Sequence, residues 1–261
     1  LTIIDMPFDE MKDYWPEELI PPTRWWVLNR VSAGVMRRFT AAIDLEPGEY
    51  PIKLGVPMRP EAVTAEFEFE NITVDYLNPM PKIVGVNGTG QANTDTMFID
   101  MWDGHVGNIK TSRGQATMWD LTGANPSGAM TVSAHASASD AAALIDSDPL
   151  RLMSEVNMRP DQISGEIDVH LGVQFPLIQA ITINEIDVTA IAQLRDISAD
   201  VLMVGGYPLS GGNFELSFDN EKMRVDGEAE VNGIPSKVVW RENFLDGAPF
   251  RRRYDVSAIL T

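Results

Sequence analysis

Carboxylates are the most abundant chemically able groups in this 261-residue chain, with 38 Asp and Glu against 20 Lys and Arg and a net charge of −18. Glu66, Glu68, Glu70, Glu166, Asp168, Asp226, Glu228 and Glu230 fall at every second position of apolar runs. Two carboxylates held a fixed distance apart are what glycoside hydrolysis requires. Every-second spacing, however, places these groups side by side on the wet face of a strand, and they read as solvated charges. His105, His135 and His170 are scattered, with none of the close spacings that gather ligands around a metal. The glycine-rich runs GVNGTG (85–90) and Ser210-Gly211-Gly212 do not lead from a strand into a helix, so they read as turns rather than phosphate cradles. There is no cysteine, which excludes disulfides and thiolate metal sites. The sequence therefore assigns no catalytic residue, no metal ligand and no cofactor.

An acidic surplus of this size leaves nothing to neutralise phosphates, which argues against nucleic acid as a partner. It equally disfavours electrostatic adhesion to anionic lipid headgroups. The one basic run, Arg251-Arg252-Arg253, reads as a solvated flank that keeps a strand edge from aggregating; contact with lipid headgroups is the other reading. Length and a 44% hydrophobic content suit one large all-β unit or two ordinary domains. The chain contains no apolar run of the length needed to span a bilayer and no signal peptide. It opens at Leu1 inside what reads as a helix, so it is expected to be a piece of a longer protein.

The elements follow from periodicity. Residues 5–34 read as helical. Asp5 and Pro7 suit a first start, Pro16 ends that piece, and Pro21-Pro22-Thr23 introduce a second helix with Gly34 as its stop. From Val35 the period is two: Val35, Phe39, Ala41, Ile43 and Leu45 share one face, and Met36, Arg38, Thr40 and Asp44 the other. Val63, Ala65, Phe67 and Phe69 alternate in the next strand, then the apolar set changes phase to Ile72, Val74 and Tyr76. One extra residue near Glu70 and Asn71 accomplishes that change, so a β-bulge or bend is expected there. Strands follow at 82–92, 96–102 and 105–121, with Asp103-Gly104 as a hairpin turn, and near 128–136. Asp140 is expected to cap a short alanine-rich helix and Asp148-Pro149 to start another, giving a helical insert near 139–153. The cleanest strand is 163–175, where Ile163, Gly165, Ile167, Val169, Leu171, Val173 and Phe175 alternate with polar residues; it spans roughly 43 Å. Further strands carry Ile186, Val188, Ala190 and Ala192; Phe214, Leu216 and Phe218; Met223, Val225, Ala229 and Val231; and Val238 and Trp240, with a turn at Asp219-Asn220.

One face of this long meander is apolar and the other acidic. The apolar face either packs on itself in a sandwich or closed barrel, or lines a trough left open for a ligand. Alternation shows which residues share a face, not what touches it.

The stretch DYWPEELIPPTRWWVLNRVSAG (13–34) adds a different kind of information. With Tyr14, Trp15, Pro16, Arg24, Trp25 and Gly34, it resembles the segment that opens the conserved region of large AsmA-like proteins. Later pieces are similar to the family in the same order: ITVDYLNPMPKIVGVNGTGQA (72–92), DAAALIDSDPLRL (140–152), ISGEIDVHLGVQFPL (163–177) and VDGEAEVNGIPSKVVWRENF (225–244). The resemblance covers most of Asp13 to Phe244 and is closest to the YhdP-like branch, related to TamB.

That resemblance implies a mainly β fold: a long curved antiparallel sheet forming an open, taco-like groove, with a small helical cap over 1–34 and one β-groove unit over 35–261. It implies a non-enzymatic segment of a Gram-negative periplasmic protein, anchored in the inner membrane by a segment outside this chain. Its partners would be phospholipid acyl chains, the rest of its own longer chain, and the inner and outer membranes reached through missing ends. On this reading Val63, Ala65, Phe67, Phe69, Ile163, Ile167, Val169, Leu171, Val173, Phe175, Phe214, Leu216 and Phe218 line the groove. Tyr14, Trp15, Trp25, Trp26 and Leu28 form the cap, bracing one sheet edge. An envelope scaffold is the alternative, and a carbohydrate-binding or hydrolytic domain the third reading, with the tryptophans as sugar platforms.

Overall fold

A computed structural model describes the chain except for residues 18, 50–57, 156–157, 180, 201–206 and 260–261. The protein is mainly β, an antiparallel sheet with few helices. Its strands are β1 (Thr2–Pro7), β2 (Val31–Ser32), β3 (Val35–Ile43), β4 (Val63–Val74), β5 (Ile83–Asn93), β6 (Met97–Trp102), β7 (His105–Val106) and β8 (Ile109–Trp119). They continue as β9 (Ser127–Ser137), β10 (Ile163–Pro176), β11 (Asp187–Ala199), β12 (Leu209–Phe218), β13 (Lys222–Val231), β14 (Ile234–Asn243) and β15 (Arg252–Ala258). Hydrogen bonding follows the order β1-β3-β4-β5-β6-β8-β9-β10-β11-β12-β13-β14-β15, with β2 beside β4 and β7 beside β5 and β8. From β3 to β6 and from β8 to β15, neighbours in the sheet are neighbours in sequence, an antiparallel meander. The helices are α1 (Pro21–Arg30), α2 (Ala138–Ile145) and α3 (Leu152–Glu155).

The described residues divide into two compact units. The first holds 1–106, 111–132 and 173–186; the second holds 107–110, 133–172 and 187–261. The division falls within β8, β9 and β10 rather than at Gly34.

In the first unit the start of the chain departs from expectation. Residues 2–7 are a strand, not a helix, because Ile3 and Met6 lie opposite Phe39 and Met36 of β3. A 3-10 turn over Phe8–Asp13 follows, and α1 alone fulfils the helical reading. Met36 is not on the polar face: a bulge at Arg37 resets the phase, so Met36 meets Phe69 and is 2% exposed. The extra Arg37 points outward to Asp5 (2.9 Å) and Glu70 (2.7 Å). The expected bulge in β4 is present. Its register shifts between Phe69 and Ile72, Asn71 adopts a positive φ of 55°, and its N–H donates to Asn87 Oδ1 at 2.8 Å. Gly34 sits against this bend with φ +68°; a Cβ there would lie 2.3 Å from the Glu70 carbonyl oxygen, so only glycine fits. Asp103-Gly104 breaks the strand between β6 and β7, and the reversal falls at Gly107-Asn108 instead.

In the second unit α2 begins at an N-cap Ser137, whose Oγ accepts the Asp140 N–H at 3.1 Å, so Asp140 lies in the first turn rather than at the cap. The next helix starts at Leu152, later than Asp148-Pro149 suggested. Asp219 closes the β12–β13 turn, its Oδ1 accepting the N–H groups of Glu221 and Lys222, both at 2.9 Å.

Candidate functional site

In the first unit the register lays out an apolar grid. Ala65, Ala92, Met97 and Met118 form one row across β4, β5, β6 and β8; Phe67, Gly90, Ile99 and Ala116 form the next; Phe69, Gly88, Met101 and Gly114 the third. In the second and third rows large and small residues alternate. The glycines of GVNGTG are strand residues, not turn residues, and the rings of Phe67 and Phe69 occupy the space a side chain would take: a Cβ on Gly90 or Gly88 would lie 2.3 or 2.4 Å from them. Gly128 stands the same way beneath Phe175, at 3.1 Å. The rings therefore lie flat across the neighbouring strand.

Two buried clusters cover this face. Met6, Phe8, Met11, Met36, Phe69, Ile72 and Val86 form one, with Trp15, Val27, Leu28 and Phe67 packed against it. Ile20, Met97, Met118, Leu121 and Leu177 form the other, joined by Trp26, Phe67 and Phe175. Trp26 stacks on Phe175 with centroids 6.1 Å apart. The expected cap thus packs on the apolar face rather than bracing a sheet edge: its aromatic and aliphatic side chains have no comparable area to bury at an edge. Trp25 carries the Arg30 guanidinium over its ring at 6.0 Å, and Tyr14 is exposed.

In the second unit Leu194, Phe214, Gly227 and Val238 make one row, and Ala192, Leu216, Val225, Trp240 and Tyr254 another. Phe214 lies over Gly227, where a Cβ would sit 2.7 Å from its ring. Phe218 ends the same side of β12, half-buried and tilted against Phe244. Ser210-Gly211-Gly212 belongs to β12, where Gly211, with φ +60°, forms a bulge. Trp240 stacks on Tyr254 at 5.7 Å, and burial pushes the Tyr254 phenol up to about 12. Sequence reasoning missed Glu242, a carboxylate 5% exposed on this apolar side. It accepts the Trp240 Nε1–H at 2.8 Å and pairs with Arg252. Arg253 pairs with Asp255 at 3.0 Å, so Arg252 and Arg253 are matched to carboxylates as a strand flank would have them.

The middle of β10 differs from both covered regions. None of the strand's apolar-face residues, Ile163, Gly165, Ile167, Val169, Leu171, Val173 and Phe175, is fully buried; all are half-buried. Ile163 meets Met153 and Met158 beneath α2, and Ile167 touches the cluster around Phe214. Val169 and Leu171, in the second unit, and Val173, in the first, pack against none of the buried clusters of described residues. Of the remaining expected lining residues, Val63, Phe69 and Phe214 are buried, and Ala65, Phe67 and Leu216 are half-buried.

The polar side of β9, β10 and β11 in the second unit holds a charge cluster. His135 Nδ1 lies 2.8 Å from Asp168 Oδ1, His135 Nε2 lies 3.2 Å from Glu166, and Arg195 pairs with Asp168. Hydrogen bonds from His135 and then Arg195 hold the Asp168 carboxyl below the usual carboxylate range. Its folded pKa being depressed, the cluster contributes stability above the unfolded value near pH ~4, and that contribution is lost as pH falls toward the folded value. In Asp168→Asn that contribution is missing at pH 7, so its melting temperature there is expected to lie modestly below the parent's and the gap to close as pH falls below about 4. Thermal melts from pH 2.5 to 7 check this.

Among the described residues no group of three His, Asp or Glu side chains is arranged to hold a metal, and no helix is long and apolar enough to cross a membrane. Neither curated proteins nor solved structures give a match. A family model described as YhdP protein matches residues 3–240. That span runs from the first edge strand to Trp240 and includes the aromatic helix, the β4 bend and the whole of β10, so the chain belongs to the YhdP family of AsmA-like proteins.

Proposed function

We propose that this chain is a segment of a periplasmic conduit that lets phospholipid acyl chains pass between the inner and outer membranes. The observation that carries the reading is that Val169 and Leu171, half-buried along β10, pack against none of the buried clusters of described residues. Each methylene withdrawn from water onto such a surface gains ~0.8 kcal/mol. A strip of Val, Ile and Leu offers nearly the same gain at every step, so a hydrocarbon chain binds without a deep trap. The headgroup stays in water, which makes the strip tolerant of lipid type. No bond is made or broken, consistent with a family of transport type. Anchorage by a segment outside this chain completes the reading; of the lining set named above, Val63, Phe69 and Phe214 are buried and serve as core.

A second reading, glycan binding, draws on Phe98 (47% exposed), Trp102 and Trp119 on the polar face of β6 and β8. The experiment is photo-crosslinking from benzoylphenylalanine placed at Leu171 and at Phe67, with native mass spectrometry of the gently purified protein. Phospholipid adducts at Leu171 are expected. Lipid-free protein with no adduct at either position overturns the conduit.

A further inference from the structure

We infer that Phe8–Arg30 is a hinged plug, seated on the apolar face of the first unit and displaced when that face takes up an acyl chain; the inference rests on the conduit reading. The cover on this face comes largely from one continuous piece of chain. Phe8, Met11, Trp15, Ile20, Trp26 and Leu28 supply it, over Met36, Phe69, Met97 and Met118.

The piece is joined to the sheet through a narrow neck. It leaves β1 at Pro7 and enters β2 at Val31, and its two ends are tied together: Phe8 N–H donates to the Gly34 carbonyl at 3.1 Å, and Ala33 N–H to Asp9 Oδ1 at 3.2 Å. Swinging it about that neck breaks no strand pairing. β2 holds the pivot by pairing with Val74 and Thr73, and the Asp75 N–H donates to the Arg30 carbonyl at 2.7 Å.

The piece also carries its own framework. Trp15 Nε1–H donates to the Leu19 carbonyl at 2.8 Å and Arg24 Nε–H to the Trp15 carbonyl at 2.9 Å. Both bonds survive displacement, so the plug moves as a unit.

Its seating is imperfect, which is what a displaceable element requires. Of the ten residues of α1 only Thr23 is buried, and its Oγ1 has no hydrogen-bond partner. Asp75 Oδ1, buried without a hydrogen bond, is held instead by its ion pair with Arg30 at 3.7 Å, at the pivot. Buried unpartnered polar atoms disfavour the seated state relative to a hydrated one. Ile20, a β-branched residue, precedes α1 with φ +51° and no side-chain cap, a strained backbone at the tip of the piece. Displacement hydrates Thr23 Oγ1.

The chain lacks cysteine, so introduced thiols report alone. The Met118→Cys thiol lies beneath the plug at a site 3% exposed, and the Val225→Cys thiol lies in the second unit at one 8% exposed. Opening predicts that a small maleimide labels the former at least tenfold faster, against the order of burial. Joining Trp26→Cys to Phe175→Cys with a short reducible spacer is expected to abolish that excess, and reduction to restore it. If that pair folds poorly, Ile20→Cys with Leu177→Cys, both in the buried cluster under the tip of the piece, replaces it. Equal labelling rates, or a Met118→Cys rate indifferent to the lock, overturn the plug.

The lipid arm uses phosphatidylethanolamine–phosphatidylglycerol vesicles with a diazirine acyl chain. Locking is expected to remove adducts near Met97 and Ile99 while leaving those at Val169 and Leu171. Adducts near Met97 in the locked protein overturn the plug. Absence of adducts everywhere, with lock-sensitive labelling intact, overturns the conduit and leaves the plug standing.

Discussion

Leu171→Glu is expected to reduce acyl-chain binding along β10 by more than tenfold at neutral pH while leaving the protein folded. Leu171 is half-exposed and packs against no buried cluster, so a glutamate there keeps its hydration and the sheet loses little. The hydrated carboxylate interrupts the apolar strip. Losing contact with three methylenes costs about 2.4 kcal/mol, which exceeds a tenfold change in affinity. Gln174→Glu places the same charge on the exposed, opposite side of the strand and is expected to change nothing. Titrating to pH ~4 protonates part of the introduced carboxyl and is expected to recover part of the binding. Diazirine-lipid adduct yields on the three proteins measure this. Equal yields from Leu171→Glu and the parent would show that the β10 strip is not the lipid path.

The largest loss of stability is expected from Phe69→Ala, at about 3–5 kcal/mol and toward the upper end of that range. Phe69 is 4% exposed and lies opposite both Met36 and Gly88. Its ring occupies the space above Gly88, which has no side chain to relax into the void, so truncation leaves a cavity that cannot close from beneath. Phe98→Ala, on the exposed side of β6, is expected to stay within about 0.5 kcal/mol of the parent. Denaturant midpoints at constant slope give both values.

What the sequence made legible, and what it did not, follows from the range of each interaction. β10 was readable because its alternation runs unbroken from Ile163 to Phe175. The bend at Asn71 was readable because it moves the apolar phase within one strand. The bulge at Arg37 was not: one residue resets Met36 to the apolar face, and the following Phe39, Ala41 and Ile43 give an equally good alternation without it. Residues 2–7 concealed a strand because their partner lies beyond α1 in sequence, and Pro7 reads as a helix start. GVNGTG misled for a related reason: a glycine beneath a ring on the next strand is indistinguishable in sequence from a turn glycine. The aromatic density of 13–34 marked that segment as unusual, but its seat on the face rather than at an edge depends on long-range packing that alternation does not encode. Glu242 gave no signal, because its ion-pair partner Arg252 is matched only once β14 and β15 are paired.

The rings laid over glycines have a mechanical consequence. Phe67 with Gly90, Phe69 with Gly88, Phe175 with Gly128 and Phe214 with Gly227 each share one allotment of volume between two strands. Enlarging the glycine displaces the ring and, at Gly88, Gly90 and Gly227, also meets a backbone oxygen at under 3 Å, so the strands themselves must shift. Glycine, rather than the aromatic residue, therefore sets how closely these neighbouring strands pack, and stability should fall with each methyl group added at those positions.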